Sequence, residues 1–425
     1  MPTRTIAILL LSLAAIALLW FGPHVYRNVI GAVPLAKSPP ALPADDGELP
    51  FKVPEGFAVS VYSDDTPGAR VLARDVKGTL VASLMSEGRI VALPDKDGDK
   101  KADRIVDILT GLNAPHGILF RCDPIREPVA SNGAGEFGLP AEASAQAGND
   151  CRMYVAEEDV LQSYAYDPDT FTATLPKTLA SFPTGGRHVT RTLLAHPDGT
   201  RLLIAVGSSC NACNETDARN AKILALDFPG SAFDEPAEFA RGLRNTVFMA
   251  IHPVTGELWG TDMGRDLLGD DVPPDEVNII KEGGNYGWPI CYGKNIHDNV
   301  FDKNTYIRNP CMEPFETPSY IDLQAHSAPL GLAFIPEEGW PEDYWFDLLV
   351  AYHGSWNRSV LTGYKIVRIP FDSGGNPLAP VDFMTGFMKD GEVIGRPVDI
   401  LVEPGGTMFV SDDRAGAIYR IFRTE

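Results

Sequence analysis

The chain has 425 residues, enough for one large domain or two of ordinary size. Its formal net charge of −21 at pH 7 argues against nucleic-acid binding, which needs a basic footprint. Forty Gly and 35 Pro in a chain of ordinary hydrophobicity point to many turns between short strands, not to long helices.

Residues 6–22 (IAILLLSLAAIALLWFG) form an unbroken apolar run after Arg4. Such a run is the apolar part of a signal peptide or a short membrane anchor, separate from any globular core. No small-x-small cleavage site follows Gly22, and Trp20 and Phe21 suit a membrane interface, so the expectation is an uncleaved anchor, with cleavage as the alternative. The remainder is expected to be exported: periplasmic and tethered to the inner membrane through 6–22, or secreted. Residues 23–50 are Pro- and Ala-rich and read as a tether. From Phe51 to Glu425 no composition break marks a second domain.

An irregular repeat begins soon after. An apolar strand is followed by a turn, a second strand of Val-Ser-Asp or Val-Ala-Glu character, and a third resembling Ile-Tyr-Arg-Ile. Six copies can be drawn: Val71–Leu93; His116 with 151–166; 188–209 with 222–228; 242–289; 329–371; and 397–422. Repeats of about four short antiparallel strands predict an all-β chain folded as a six-bladed β-propeller, with a β-sandwich as the alternative. FAVSVYS (57–63) precedes the first copy and is placed to complete the last blade, which would leave the ring without free edges.

Between the first two copies lies DKDGDKKAD, where Asp95, Asp97, Asp99 and Asp103 alternate like the carboxylates of a calcium loop. The EF-hand spacing also wants a Gly at its sixth position and a closing Glu, and both are missing, so a surface cation and a solvated acidic turn both stay open. The six cysteines fall into three near pairs, Cys122/Cys151, Cys210/Cys213 and Cys291/Cys311. In an oxidising compartment this favours disulfides. A redox or zinc role for Cys210/Cys213 is the alternative, although no second CxxC is present and Asn214 stands where haem attachment would need His.

In a propeller the innermost strands start near the axis, so their first residues converge. Here these are Arg70, His116, Arg187 with His188, Arg244 with Asn245, Pro329 and Arg396. So many cations in an acidic chain point to an anionic ligand in an axial funnel. No Gly-x-Gly-x-x-Gly or Walker loop opens a strand–helix unit, which disfavours nicotinamide and nucleotide chemistry.

Three segments in this order and spacing, GLRN (242–245), TDMGRD (261–266) and DEVNIIKEGGNYGWP (275–289), carry a resemblance. GRHVTRTLLAHPDGTRLLIAVGS (186–208) precedes them and HGSWNRSVLTGYKIVRI (353–369) follows. Over about residues 51–425 the chain resembles the soluble glucose and sorbosone dehydrogenases, six-bladed propellers that use pyrroloquinoline quinone (PQQ) and calcium. The resemblance implies oxidation of a sugar at C1, with electrons passed to a dye-like acceptor or the respiratory chain. His188 would be the general base, because an imidazole titrates near the working pH. Arg244 and Asn245 match the pair that contacts the quinone oxygens; a strand-end salt bridge from Arg244 to Asp262 or Asp266 is the plainer reading. Gly264 and Arg265 stand where the family holds calcium by two backbone carbonyls, although the family tends to have Pro at the second position. Arg396 matches an arginine that holds a PQQ carboxylate. The glucose enzymes have a second arginine and a lysine there; Val393 and Ile394 replace the former, and His353, Asn357 or Arg358 would have to replace the latter. The pattern is closer to the sorbosone-type branch. Asp275, Glu276 and Tyr286 fall where relatives bind further calcium, or cap turns. Trp288 reads as packing, and His116 as a turn or funnel histidine. Competing readings are a lactonase-like hydrolase with a central divalent metal, and a propeller that binds a ligand without catalysis.

Overall fold

The computed structural model describes residues 49–124, 149–228 and 235–424. The apolar run 6–22 and all but the last two residues of the expected tether lie outside the described residues. Among the described residues there is no α-helix, only two single 3₁₀ turns, Met85–Glu87 and Glu342–Tyr344.

Six four-stranded antiparallel sheets form the blades of the expected propeller. Their innermost strands are Ala69–Arg74, Gly117–Pro124, Arg191–Ala195, Thr246–Ile251, Pro329–Phe334 and Pro397–Glu403 (blades 1 to 6). Each touches the innermost strand of the next blade, and blade 6 touches blade 1. The outer strand of blade 6 is Phe57–Ser63, which pairs antiparallel with Ala417–Arg423. The ring is therefore closed by non-covalent pairing of the two ends of the domain, as the position of FAVSVYS led us to expect.

Each blade is buried on both faces, which explains its nearly continuous apolar strands. In Arg201–Val206 of blade 3, Leu202, Ile204 and Val206 pack against blade 2, while Leu203 and Ala205 pack against blade 4. This is the two-residue alternation of a strand feeding two different cores. Six apolar clusters result, one at each interface between blades. Each fully buried Leu, Ile or Val contributes about 1.5–3 kcal/mol. The three expected disulfides are formed: Cys122–Cys151 across the first two strands of blade 2, Cys210–Cys213, and Cys291–Cys311. No cysteine is free.

Candidate active site

Second strands end beside the starts of first strands, and buried carboxylates make that junction. Asp262 closes the strand Leu258–Asp262 and accepts the amide N–H groups of Arg244 (3.0 Å) and Asn245 (2.6 Å) and the Thr246 hydroxyl (3.1 Å). In blade 6, Asp412 accepts the amides of Arg396 (2.9 Å), Arg414 (3.0 Å) and Ala415 (2.8 Å). In blade 2, Glu157 accepts the amide of Asn113 at 2.5 Å. Burial pushes Asp262 and Asp412 up to about 7, against the pull of these N–H bonds. The acidic character that ends the second strand of the sequence repeat thus fixes the backbone on which the axial side chains stand.

His188 lies three residues before its strand, in a loop that Arg191 staples. The Arg191 guanidinium donates to the carbonyls of Pro183 (2.7 Å), His188 (3.0 Å) and Thr190 (2.9 Å). The His188 ring is half-buried. Its Nδ1 lies 2.8 Å from the Ser208 carbonyl and 3.0 Å from the Ser208 hydroxyl, which itself donates to the Cys210 carbonyl at 2.7 Å. A carbonyl oxygen only accepts, so Nδ1 carries the hydrogen and Nε2 presents a lone pair. Burial, then the adjacent Arg244 guanidinium, holds the imidazole well below the ordinary histidine range, while the Ser208 bond opposes them. The result is a neutral base with one nitrogen directed by the fold.

Asn245 stands beside His188 because Gly207 lies between them without a side chain. A Cβ on Gly207 would come within 2.5 Å of Asn245 Oδ1 and 2.6 Å of His188 Cβ. Gly207→Ala is therefore expected to force the two apart and to cost about 1–3 kcal/mol as an overpacked site. Thermal denaturation tests this, since a variant that melts with the wild type would show that the loop absorbs the methyl group.

Arg244 is buried, with 4% of its side chain exposed. Its Nε donates to the Asn211 carbonyl (3.0 Å), Nη1 to the Met263 carbonyl (3.2 Å), and Nη2 to Asn211 Oδ1 (2.9 Å) and Asp266 Oδ2 (3.2 Å). Asp262 thus takes the Arg244 amide and Asp266 its guanidinium. Asp266 also pairs with Arg187 at 3.4 Å and accepts Asn357 Nδ2 at 3.2 Å, which brings blade 5 to the same point.

Gly264 donates its N–H to Asp275 at 2.9 Å, and a Cβ there would lie 2.6 Å from the Pro274 carbonyl. The Arg265 side chain pairs with buried Asp298 at 2.6 Å, so the cation that departs from the family pattern is neutralised locally. Asp275 accepts the Ala328 amide (2.9 Å) and Ser327 hydroxyl (3.2 Å), and Glu276 the Gly293 amide (2.6 Å) and Asn278 (2.9 Å). The Tyr286 hydroxyl donates to the Ile279 carbonyl at 2.6 Å. These three side chains are engaged in holding turns. A recess lined by Arg244, Asp262, Gly264, Arg265, Glu276 and Trp288 lies beneath them.

A second cationic group gathers blades 5, 6 and 1. Arg396 donates to the carbonyls of His353 (3.0 Å) and Gly354 (2.7 Å). His353 Nε2 meets Asp413 at 2.9 Å, and Arg70 meets the same carboxylate at 2.9 Å. Arg414 and Arg70 both depress the Arg396 guanidinium, after burial, so cations absent from the GRP segment arrive from elsewhere in the chain. Against burial, the bond from His353 and the Arg70 and Arg396 charges hold Asp413 below the usual carboxylate range, while burial and Arg396 push His353 itself down to about 4.

Six expected residues lie apart from this group. Arg358 is tied to the carbonyls of Asp270 and Ala325 and to the Asp271 carboxylate, fastening the loop that carries Asn357. His116 is fully buried, bonds Thr192 Oγ1 at 3.1 Å and meets the Phe248 ring edge-on. Asp95, Asp97 and Asp99 bring carboxylate oxygens within 4.8 Å of one another, and Asp103 accepts the Lys96 amide at 2.8 Å. Their loop joins the third and fourth strands of blade 1, on the face opposite His188, beside a recess of about 410 Å³. The expected salt bridge from Arg244 to Asp266 is formed at 3.2 Å. Sequence reading missed Asn211 and Arg191; Arg191 was detectable as a charge opening an apolar strand.

The propeller sets an axial group of buried arginines and an amide beside a neutral imidazole. The TrAA12-like family model matches residues 142–424, well over half of the chain, and the chain belongs to that family of PQQ-dependent sugar dehydrogenases. It is 35% identical over 253 residues to an uncharacterised protein of Borreliella burgdorferi (59% of this chain, 63% of that one). It is 26% identical over 320 residues to a pyrroloquinoline quinone-dependent sugar dehydrogenase of Hypocrea jecorina (63% of this chain, 70% of that one). A pyrroloquinoline quinone-dependent pyranose dehydrogenase of Coprinopsis cinerea is 26% identical over 338 residues, 64% of this chain and 44% of its own length. Among solved structures, the iodide structure of the Trichoderma reesei family AA12 enzyme superposes with a TM-score of 0.69 at 21% identity, covering 92% of this chain and 100% of the other. The holo pyranose dehydrogenase PQQ domain from Coprinopsis cinerea gives 0.67 at 21% identity, covering 92% and 99%. At these identities the superpositions speak for the fold.

Proposed function

We propose that this chain is an exported PQQ- and calcium-dependent dehydrogenase that oxidises a sugar or sugar aldehyde at C1, with His188 as the base. The observation that carries the reading is the bond from His188 Nδ1 to the Ser208 carbonyl, which leaves Nε2 unprotonated. Room for a ligand shows in unsatisfied groups: Asn245 Oδ1 and Asn357 Oδ1 are buried acceptors without a hydrogen-bond partner, open to an N–H or O–H of the ligand, while quinone oxygens would need the donors of Arg244 and the Asn245 amide nitrogen. Arg244 and Asn245 would hold the quinone oxygens, and Arg396, aided by Arg70, a carboxylate. The backbone carbonyls of Gly264 and Arg265 would hold calcium, whose preference is for oxygen. Bound there, PQQ supplies the two-electron acceptor for the C1 hydride.

The chain's own part is proton transfer and charge stabilisation. His188 Nε2 takes the hydroxyl proton as the C1–H bond breaks, becoming an imidazolium. The fixed guanidinium stabilises negative charge developing opposite it and needs little reorganisation, because four protein acceptors already hold it. The three disulfides suit an oxidising compartment outside the cytoplasm. Reduced enzyme would return its electrons to a dye-like or respiratory acceptor.

The test is addition of PQQ and calcium, separately and together, to purified protein with a panel of aldoses and aldosones. Turnover only with both supports the proposal. A flat calorimetric titration with PQQ and no turnover would overturn it, and lactonase activity without PQQ would point to the hydrolase. The pH profile adds a signed prediction. A base whose pKa is depressed stays neutral at all pH values above it, so the acid limb of kcat/KM should lie below the ordinary histidine value of 6.5. An acid limb above that value would contradict the assignment of His188.

A further inference from the structure

The loop 208–215 touches both halves of the axial site, and nothing in the proposed chemistry accounts for it. Its Ser208 meets the His188 ring, and Asn211 meets Arg244 twice, through its carbonyl and its Oδ1. The same Oδ1 accepts the Asp266 amide at 2.8 Å, and Asn211 Nδ2 donates to the Asp266 carbonyl at 3.1 Å. One amide side chain therefore aligns a guanidinium and the backbone of its counter-ion. The turn is fastened at two other points: Cys210 is bridged to Cys213, and Glu215 accepts the Ser209 amide at 2.8 Å and its hydroxyl at 2.6 Å. A bridge between cysteines three positions apart constrains the unfolded chain less than a long one does, so its main effect is local. It shapes the turn that presents both Asn211 acceptors on the side of Arg244. With the cysteines paired, Cys210, Cys213 and Glu215 cannot be a thiolate metal site.

We propose that Asn211, held in the Cys210–Cys213 ring, is the positioning residue that fixes Arg244 against Asp266 at the axis. A carboxylate alone gives a guanidinium a partner but leaves it free to swing; the planar fork is immobilised when its Nε, Nη1 and Nη2 are bonded by acceptors of different segments. Asn211 supplies two of those four acceptors and orients a third. The consequence for cofactor binding rests on the dehydrogenase reading, whereas the placement of Arg244 does not.

The two are tested separately. In cofactor-free protein, phenylglyoxal labelling of Arg244 is followed by peptide mass spectrometry. Wild-type Arg244 should be protected, Asn211→Ala should label roughly tenfold faster or more, as loss of a bond to a charged group predicts, and Asn211→Asp, which keeps the acceptor oxygen, should restore protection. Cys210→Ser with Cys213→Ser, or mild reduction of the wild type, should label at an intermediate rate. PQQ titration of Asn211→Ala should then show about tenfold weaker binding, the same loss read at the ligand, with the acid limb of the pH profile moved toward the ordinary histidine range as the Arg244 charge leaves His188. Protection of Arg244 in Asn211→Ala equal to wild type would overturn the inference, as would the same result in the cysteine variant if the alanine protein does not fold. Failure of the wild type to bind PQQ would overturn the dehydrogenase reading and leave the labelling result to decide the role of Asn211.

Discussion

Replacing His188 by Gln should lower kcat by about 10²–10⁴-fold while PQQ binding and the melting temperature stay near wild type. Glutamine occupies a similar volume and can still donate to the Ser208 carbonyl, so the loop stapled by Arg191 keeps its shape. What it lacks is a nitrogen lone pair able to take a proton. The effect should fall on kcat, because the base acts only as the C1 hydroxyl loses its proton. Ser208→Ala gives an internal comparison. It removes the hydroxyl at 3.0 Å from Nδ1 but keeps the carbonyl at 2.8 Å, so the tautomer survives. The loss there should be about tenfold or less, the worth of one neutral hydrogen bond. Stopped-flow reduction of bound PQQ by substrate measures the step directly. An unchanged rate in His188→Gln would remove the base from the mechanism; a large loss in Ser208→Ala with His188 intact would mean that the hydroxyl, not the carbonyl, sets the tautomer.

The propeller was legible because its cause is periodic. Alternation within Arg201–Val206 or Leu80–Leu84 serves two cores at once, and turns recur at regular intervals, so blades can be counted before any contact is known. Phe57–Ser63 could be assigned to blade 6 because a closed ring leaves one apolar strand without another place to go. Axial residues were legible by position for the same reason: strand starts converge in any propeller. What they bond to was legible only for Arg244, whose bridge to Asp266 was one of two the segment offered. Arg265 departs from the family pattern, and its partner Asp298 lies 33 positions away. Arg358 read as a free cation near the cofactor, but Asp270 and Asp271, 88 and 87 positions away, take it up. The GRP segment offers no second arginine beside Arg396, while Arg70 and Arg414 both act on the Arg396 guanidinium from elsewhere in the chain. Charge partners are chosen by loop geometry at the ends of strands, where the sequence has no period to follow.

Arg191 marks the same boundary and yields the second large effect. It opens an apolar strand, is 2% exposed, and is bonded by three carbonyls, with no carboxylate paired to it among the described residues. Burial lowers its guanidinium to about 10, with Glu158 and Asp159 pulling the other way. A buried cation in that setting is costly and persists where its geometry is needed. Arg191→Ala should leave the carbonyls of Pro183, His188 and Thr190 unpaired, each at about 1–3 kcal/mol where water cannot reach. The melting temperature should fall by several degrees, and kcat by about tenfold to a hundredfold as the His188 loop drifts by a fraction of an ångström or more. Arg191→Lys keeps the charge but not the planar fork, so it should recover part of the stability and little of the rate. To separate a positioning role from general loosening, Arg191→Ala is combined with His188→Gln. If Arg191 acts on the reaction through His188, it should still lower the melting temperature of the double variant but add almost nothing to its loss of kcat. Full additivity in kcat would show that Arg191 reaches the chemistry by another route, and a wild-type melting temperature for Arg191→Ala would mean that water or a neighbouring donor satisfies the three carbonyls.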